Sequence, residues 1–153
     1  DLGTVVDVGN NVVSIILNEY RQFADDAGIA FDYDVSIPHT LSITAVDLYV
    51  LLGNTLDNAI EACESLPEEQ RYIHLQFRTF HEILFLQIKN PYSKDYPLRI
   101  RGKNHGYGLQ NVRKCVKKHN GHISAEQENG VFTLSLRLAD CVPATTNMRT
   151  LNQ

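Results

Sequence analysis

Two asparagines stand four residues apart in a strongly apolar segment near the middle of the chain. The apolar side chains recur at the spacing of one helix face, which predicts a helix packed on the core: Leu48, Leu52, Leu56, Ala59 and Cys63. Asn54, Asn58 and Glu61 lie on roughly the opposite face. A metal ion with a phosphate chain would give these polar groups partners. Taken alone, the pattern also fits a helix whose polar face meets solvent.

The composition predicts one globular domain and excludes several function classes. A chain of 153 residues with a net charge of −4 gives no electrostatic reason to expect nucleic acid as a partner. It has neither an apolar run of about 18 residues nor a signal peptide. The three cysteines are far apart and fit reduced core residues, which suggests a reducing compartment. The scattered histidines and the lack of a Cys-x-x-Cys argue against a structural zinc site.

Periodicity and turn signals give the order of elements in the first half of the chain. Apolar spacing predicts a helix over residues 10–27 that stops at Gly28, and alternation predicts a half-buried strand over residues 29–37. Thr44 or Asp47 is the expected cap of the second helix, which should continue to about residue 65. Strands at residues 73–78 and 84–88 then form a hairpin that turns near His81 and Glu82.

The second half begins with a basic loop over residues 91–103. A third helix follows over residues 108–120, closed by Gly121, and a final hairpin turns at Asn129-Gly130. The expected fold class is α+β: a two-layer sandwich with one mixed or antiparallel sheet of about five strands and three main helices on one face. The domain should cover residues 9–138, with a linker at residues 1–8 and a flexible tail at residues 139–153.

A second motif, His105-Gly106-Tyr107-Gly108-Leu109, directly precedes the third helix. Glycines let a backbone approach a ligand closely, and a helix N-terminus offers unpaired N–H groups that suit phosphate. Lys103 and Arg101, just upstream, are placed to contact a terminal phosphate. A plain turn is the alternative explanation of Gly-x-Gly.

The order of these motifs resembles the GHKL superfamily, whose Bergerat ATP-binding fold is shared by gyrase, MutL and sensor histidine kinases. The stretch at residues 53–62 is similar to the family's N-box, and Gly106-Tyr107-Gly108-Leu109 is similar to its second glycine box. The resemblance covers about residues 9–138. Within the superfamily the two motifs are most similar to the peptide-pheromone, or quorum-sensing, class of bacterial histidine kinases.

The resemblance implies ATP and Mg²⁺ as cofactors and assigns roles to residues. Asn58 occupies the position of the magnesium ligand. Asn54 stands where ATP-hydrolysing relatives have a glutamate that activates water, and an asparagine cannot act as that base. Phosphoryl transfer to a histidine is therefore favoured over hydrolysis. Lys103 completes the implied catalytic set, and the glycine box supplies nucleotide contacts from His105, Gly106, Tyr107, Gly108 and Leu109.

One motif departs from the family pattern. Relatives have Asp-x-Gly-x-Gly after the hairpin, where the aspartate accepts a hydrogen bond from the adenine amine. This chain has Asn90-Pro91-Tyr92-Ser93, which keeps a carbonyl acceptor at Asn90 but loses the charge and the glycines. The quorum-sensing class is known for lacking this box.

The resemblance also implies partners. No histidine of the chain stands in a convincing phospho-acceptor context, so the acceptor is expected on upstream dimerisation helices of a longer protein. We expect a cytoplasmic domain of a membrane-anchored receptor that acts with a response regulator and is a homodimer at full length, with this fragment alone monomeric. The alternatives are a Bergerat-fold interaction module that does not use ATP, or a stand-alone ATPase or serine kinase.

Overall fold

The computed structural model describes residues 5–95 and 108–144. Their elements follow the predicted order: α1 (Asn11–Asp26), β1 (Ala30–Ser36), α2 (Ala45–Cys63), β2 (Tyr72–Phe80), β3 (Ile83–Pro91), α3 (Gly108–Lys118), β4 (His122–Glu128) and β5 (Val131–Leu138). A short 3-10 turn at Glu68–Gln70 precedes β2. None of the described helices combines the length and apolar character that a membrane crossing requires.

The five strands form one mixed sheet in the order β1-β2-β3-β5-β4. β1 is parallel to β2, because α2 carries the chain back across the sheet between them, and the other three pairings are antiparallel. The central strands alternate as predicted, with every second residue buried: Ile73, Leu75, Phe77, Leu84, Leu86 and Ile88. These side chains share one core with the apolar faces of the three helices, which confirms the two-layer α+β fold.

Both hairpins have two-residue turns with positive φ at each central residue. Asn129 and Gly130 have φ values of 52° and 78°, as their residue types predict. His81 and Glu82 adopt the same conformation, with φ values of 50° and 66°. The pairing of Phe80 with Ile83 leaves only these two residues to connect the strands. Strand register therefore imposes this turn on two residues that do not favour it.

The end of α3 differs from the prediction that Gly121 closes it. Asn120 holds the left-handed conformation, with a φ of 53°, and the Gly121 N–H donates to the carbonyl of Val116 at 2.8 Å. A Cβ on Gly121 would collide with the carbonyl oxygen of Arg137 on β5. The glycine is therefore required for close packing against the sheet, and the asparagine makes the turn.

The packed body extends beyond both predicted boundaries, residues 9 and 138. Val6 is 2 % exposed, and its N–H donates to Asn18 Oδ1 on α1 at 2.8 Å. Cys141 is fully buried, and its carbonyl accepts from the Ser42 N–H at 2.6 Å. Val6 and Cys141 therefore pack on the domain, although single apolar residues carry no periodic signal in the sequence. Residues 1–4 and 145–153 lie outside the described part.

Candidate functional site

Helix α2 presents its two faces as predicted. The Thr44 side chain caps it by accepting from the Asp47 N–H at 3.1 Å, which settles the choice between the two expected caps. The apolar face is buried, including all five residues of the predicted stripe: Leu48, Leu52, Leu56, Ala59 and Cys63. Asn54 and Asn58 are half-buried, one turn apart. A half-buried amide can bind a ligand and remain accessible to it.

Gly53 holds α1 close to α2 directly beside this asparagine face. A Cβ at this position would lie 3.2 Å from the Tyr20 hydroxyl and 3.2 Å from Tyr49 Cδ1. Tyr20 is 5 % exposed, and burial together with its hydrogen bond to Asp57 raises the pKa of its phenol. The residue before Asn54 must therefore be small, which fixes the position of this part of α2 against α1.

Helix α3 begins against the first asparagine. A Cβ at Gly108 would lie 3.8 Å from Asn54 Cβ and 3.9 Å from Asn54 Cγ, which is ordinary van der Waals contact. The second residue of α3, Leu109, packs against the core and anchors this end of the helix. The fold thus brings Gly108 of the glycine motif next to Asn54, although 53 residues lie between them in the sequence.

The remaining predicted phosphate contacts are not described. Lys103, His105, Gly106 and Tyr107 lie in the segment 96–107, outside the described residues. Their roles stay predictions from the sequence.

Asn90 lies at the end of β3 on the helix-covered face of the sheet. It follows Leu84, Leu86 and Ile88 in the alternation and is 1 % exposed. Its Nδ2 donates to the Pro91 carbonyl at 2.9 Å, while the Tyr92 N–H donates to the Gly130 carbonyl at 3.1 Å. The segment after β3 is therefore tied to the β4–β5 turn, and the Asn90 amide is held at the end of the central strand.

The opposite end of the α2–α3 pair carries a charged cluster that the sequence did not predict. Lys118 Nζ and His119 Nε2 each lie 2.9 Å from Asp47 Oδ2, and His119 Nδ1 lies 3.1 Å from Asp140 Oδ1. The hydrogen bonds from His119 and then Lys118 lower the pKa of the Asp47 carboxyl. Lys118 and His119 therefore connect the end of α3 to the first turn of α2.

This cluster includes two buried thiols. Cys115 Sγ lies 3.9 Å from the Asp47 carbonyl oxygen, and Cys141 Sγ lies 3.9 Å from Asp140 Oδ1. Burial is the main cause that raises the pKa of Cys115 to about 11 and that of Cys141 to about 12. The spacing of Cys115 and His119, one helical turn, was the one signal available in the sequence. Asp47 and Asp140 join them only through the tertiary fold.

Comparison with known proteins shows where this architecture occurs. Three histidine kinase structures share the fold at low identity. The nucleotide-free catalytic domain of histidine kinase ThkA has 16 % identity and a TM-score of 0.66, over 85 % of this chain and 91 % of that one. Acinetobacter baumannii histidine kinase AdeS has 14 % identity and a TM-score of 0.61, over 85 % and 64 %. Full-length ShkA in complex with AMPPNP has 17 % identity and a TM-score of 0.68, over 95 % and 33 %.

No curated protein matches the chain. The sequence profile described as the GHKL domain matches residues 43–139, which is more than half of the chain and includes α2, α3 and the strands between and after them. The chain therefore belongs to the GHKL domain family.

Proposed function

We propose that this chain is the ATP-binding catalytic domain of a sensor histidine kinase, transferring the γ-phosphoryl group of ATP to a histidine on a separate dimerisation domain. The proximity of Gly108 to Asn54 carries the proposal: a Cβ on the glycine would lie 3.8 Å from Asn54 Cβ. It puts the first turn of α3, whose N–H groups lack partners within the helix, beside the polar face of α2. Phosphate oxygens bind such N–H groups, so the triphosphate would lie between these two helices.

Asn58 is the proposed magnesium ligand. Its amide oxygen is a neutral hard donor, which suits an ion that keeps several of its waters and contacts few protein groups. Its half-buried position, one turn after Asn54, fits contact with an ion that is also bound by phosphate oxygens. When bound, magnesium neutralises charge on the phosphates, and the chain's own contribution is to position them.

Asn54 favours transfer over hydrolysis. A carboxylate at this position could take a proton from an attacking water, whereas an amide cannot. In this proposal Asn54 contacts the nucleotide and leaves water unactivated, so ATP persists until an acceptor histidine arrives. That distinction makes a stand-alone ATPase the weaker alternative.

Residues before, within and after the 91–107 segment are proposed to complete the nucleotide site, some at the adenine and others at the phosphates. Asn90, with its amide fixed at the end of β3, is the proposed adenine contact. Lys103 is the proposed ligand of the terminal phosphate, and Leu109 helps to anchor the start of α3 against the core. His105, Gly106 and Tyr107 are proposed to contact the nucleotide from the glycine motif.

The proposed context is a longer receptor. The acceptor histidine would lie on dimerisation helices upstream in the same protein, and the phosphoryl group would pass to a response regulator. The receptor is proposed to be a membrane-anchored homodimer of the quorum-sensing class, with this domain in the cytoplasm and monomeric by itself. The missing adenine-side glycine box supports that class.

Phosphoryl transfer is best tested in the longer protein that contains this chain. Incubation with Mg²⁺ and ATP labelled at the γ-phosphate should give an acid-labile, base-stable label, as expected of phosphohistidine, and Asn58→Ala should abolish it. The isolated chain should release little phosphate over the same period. An unlabelled receptor with steady phosphate release from the isolated chain would instead identify an ATPase.

A GHKL module that binds a protein partner without using ATP is the second candidate. The replacement of Asp-x-Gly-x-Gly by Asn90-Pro91-Tyr92-Ser93 favours it, because rigid Pro91 stands where relatives have flexible backbone. Thermal unfolding distinguishes the two. A ligand at one hundred times its dissociation constant adds about 2.7 kcal/mol to the free energy of unfolding. No shift at millimolar Mg·ATP would favour the interaction module.

A further inference from the structure

We propose that Asp47, Cys115 and His119 form a binding site for a zinc ion that joins the first turn of α2 to the end of α3. The carboxylate of Asp47, the thiol of Cys115 and a ring nitrogen of His119 all lie within 4.8 Å of one another. Cys115 lies in α3, His119 directly follows that helix four residues later, and Asp47 comes from α2. The site does not depend on the proposed function.

Each ring nitrogen of His119 lies beside a carboxylate oxygen. Nε2 lies 2.9 Å from Asp47 Oδ2, and Nδ1 lies 3.1 Å from Asp140 Oδ1. A neutral imidazole carries one N–H, so it can donate to only one of these carboxylates, and the other nitrogen would present its lone pair to an oxygen lone pair. Either a second proton or a metal ion resolves this conflict.

The arrangement around the ring is the one that metal-binding histidines adopt. A histidine that binds a metal through one nitrogen usually donates its other N–H to a carboxylate, which fixes the ring orientation. Here Asp140 takes the Nδ1–H, and Nε2 is left to face Asp47 and the metal. The His119 side chain is 12 % exposed and that of Asp47 13 %, so the site is largely shielded but accessible to an ion and a water.

The donor set selects zinc over magnesium or calcium. A thiolate and an imidazole are softer donors than the oxygens that Mg²⁺ and Ca²⁺ require. Zinc bonds of about 2.0–2.3 Å in a tetrahedron place ligand atoms roughly 3.3–3.8 Å apart, so the Asp47–His119 distance needs to open by only about 0.4 Å. A water is the fourth ligand.

Zinc binding releases protons from the side chains that bind the ion. Zn²⁺ forms a bond to Cys115 Sγ as the S–H bond breaks and the proton passes to solvent, and any second proton on His119 leaves in the same way. The thiolate and the two carboxylates then balance Zn²⁺ and Lys118, so the cluster carries no net charge. Lys118, whose side chain is 62 % exposed, can move from Asp47 Oδ2 into solvent.

The site is separate from the asparagine face. Gly108 and His119 mark opposite ends of α3, and eleven residues of helical rise correspond to roughly 16 Å. Variants at Asn58 should therefore leave zinc binding unchanged, which distinguishes this site from the proposed magnesium site.

Titration of the reduced chain with Zn²⁺, without nucleotide or magnesium, tests the proposal. We expect one zinc per chain by calorimetry, a dissociation constant at least tenfold higher for Cys115→Ser and for His119→Gln, and a change below twofold for Cys63→Ser and Asn58→Ala. Cys63 is the matched control because it is also a buried thiol, but it lies at the far end of α2, where it bonds to the Tyr72 carbonyl.

A cobalt titration of the wild-type chain tests the site without any variant, so it remains decisive if a variant does not fold. Co²⁺ bound to the wild-type chain should show intense visible bands of tetrahedral geometry and a near-ultraviolet charge-transfer band from the thiolate. Zinc should displace it. Absence of these bands, or of stoichiometric zinc binding, would overturn the proposal. Binding that is lost in Cys141→Ser but kept in Cys115→Ser would overturn the assignment, since it would place the ion beside Asp140 instead.

Discussion

Gly108 starts α3 in van der Waals range of Asn54: a Cβ on the glycine would lie 3.8 Å from the asparagine Cβ. This contact joins the two motifs that the proposed ATP site requires.

Gly108→Ala should weaken nucleotide binding more than it affects the fold. The added methyl group meets no atom of the described residues closer than 3.8 Å, so we expect the free energy of unfolding to change by no more than about 1 kcal/mol. The same methyl group takes space proposed for phosphate, so the dissociation constant of Mg·ATP should rise severalfold. Chemical denaturation and calorimetry on the same preparations measure both. Unchanged nucleotide affinity would place the phosphates elsewhere.

Asn54→Glu should increase the rate at which the domain hydrolyses ATP. The new carboxylate can take a proton from water, and general-base catalysis typically contributes 10²–10⁴-fold, so steady phosphate release should rise at least about tenfold. Asn54→Gln is the matched control, because it has the same length without the base. Equal release by the glutamate and glutamine variants would contradict the role assigned to Asn54.

Gly53→Ala should be destabilising because of Tyr20. A methyl group 3.2 Å from the Tyr20 hydroxyl requires this buried ring to shift, which offsets the helix-forming advantage of alanine. The cost should shrink by at least about 0.5 kcal/mol in a Tyr20→Phe background, where the hydroxyl is gone. A double-mutant cycle by urea denaturation measures this coupling. Additive effects would show that the tyrosine does not limit residue 53.

Asp47→Asn should lower stability at neutral pH and reduce its acid dependence. The bonds to His119 and Lys118 lower the carboxyl pKa from its ordinary value of 3.8, so the stabilisation is fully present above that value and is lost as pH falls through the lower, folded-state pKa. We expect a loss of about 1–3 kcal/mol at pH 7, because His119 and Lys118 lose a charged hydrogen-bond acceptor.

Unfolding measured from pH 7 down to pH 2 checks this expectation, in metal-free buffer. The wild-type chain and the variant should converge at the acid end of the series. A constant difference at all pH values would mean that the charge of Asp47 does not contribute.

Local patterns predicted most of the fold. The alternation in β2 and β3, the turn at Asn129-Gly130 and the apolar face of α2 depend on residues close in sequence, and all are confirmed. The turn at His81 and Glu82 was only located approximately, because strand register, not residue preference, sets its conformation. The sequence predicts that Gly121 closes α3, whereas the structure requires this glycine for close packing on the sheet. The carbonyl of Arg137 that it accommodates belongs to another element, so the local pattern does not reveal it.

The sequence likewise predicted only those features of the site that depend on residues close together in the chain. Asn54 and Asn58 were placed on one face by helical spacing alone, and their half-burial agrees with that prediction. The cluster around Asp47 could not be anticipated, since its members come from α2, α3 and the segment after β5. Cys141 gives no periodic signal because it is an isolated apolar residue, although the fold buries it completely.

The central claim is that Asn58 binds the magnesium ion of Mg·ATP. Calorimetric titration of the wild-type chain, Asn58→Ala and Asn11→Ala measures it most directly, with Asn11→Ala removing an exposed helical asparagine from α1 as the control. The account predicts saturable binding by the wild-type chain and by Asn11→Ala, dependent on magnesium, and affinity at least about tenfold weaker in Asn58→Ala. Equal binding by all three, or no binding by the wild-type chain at millimolar nucleotide, would contradict it.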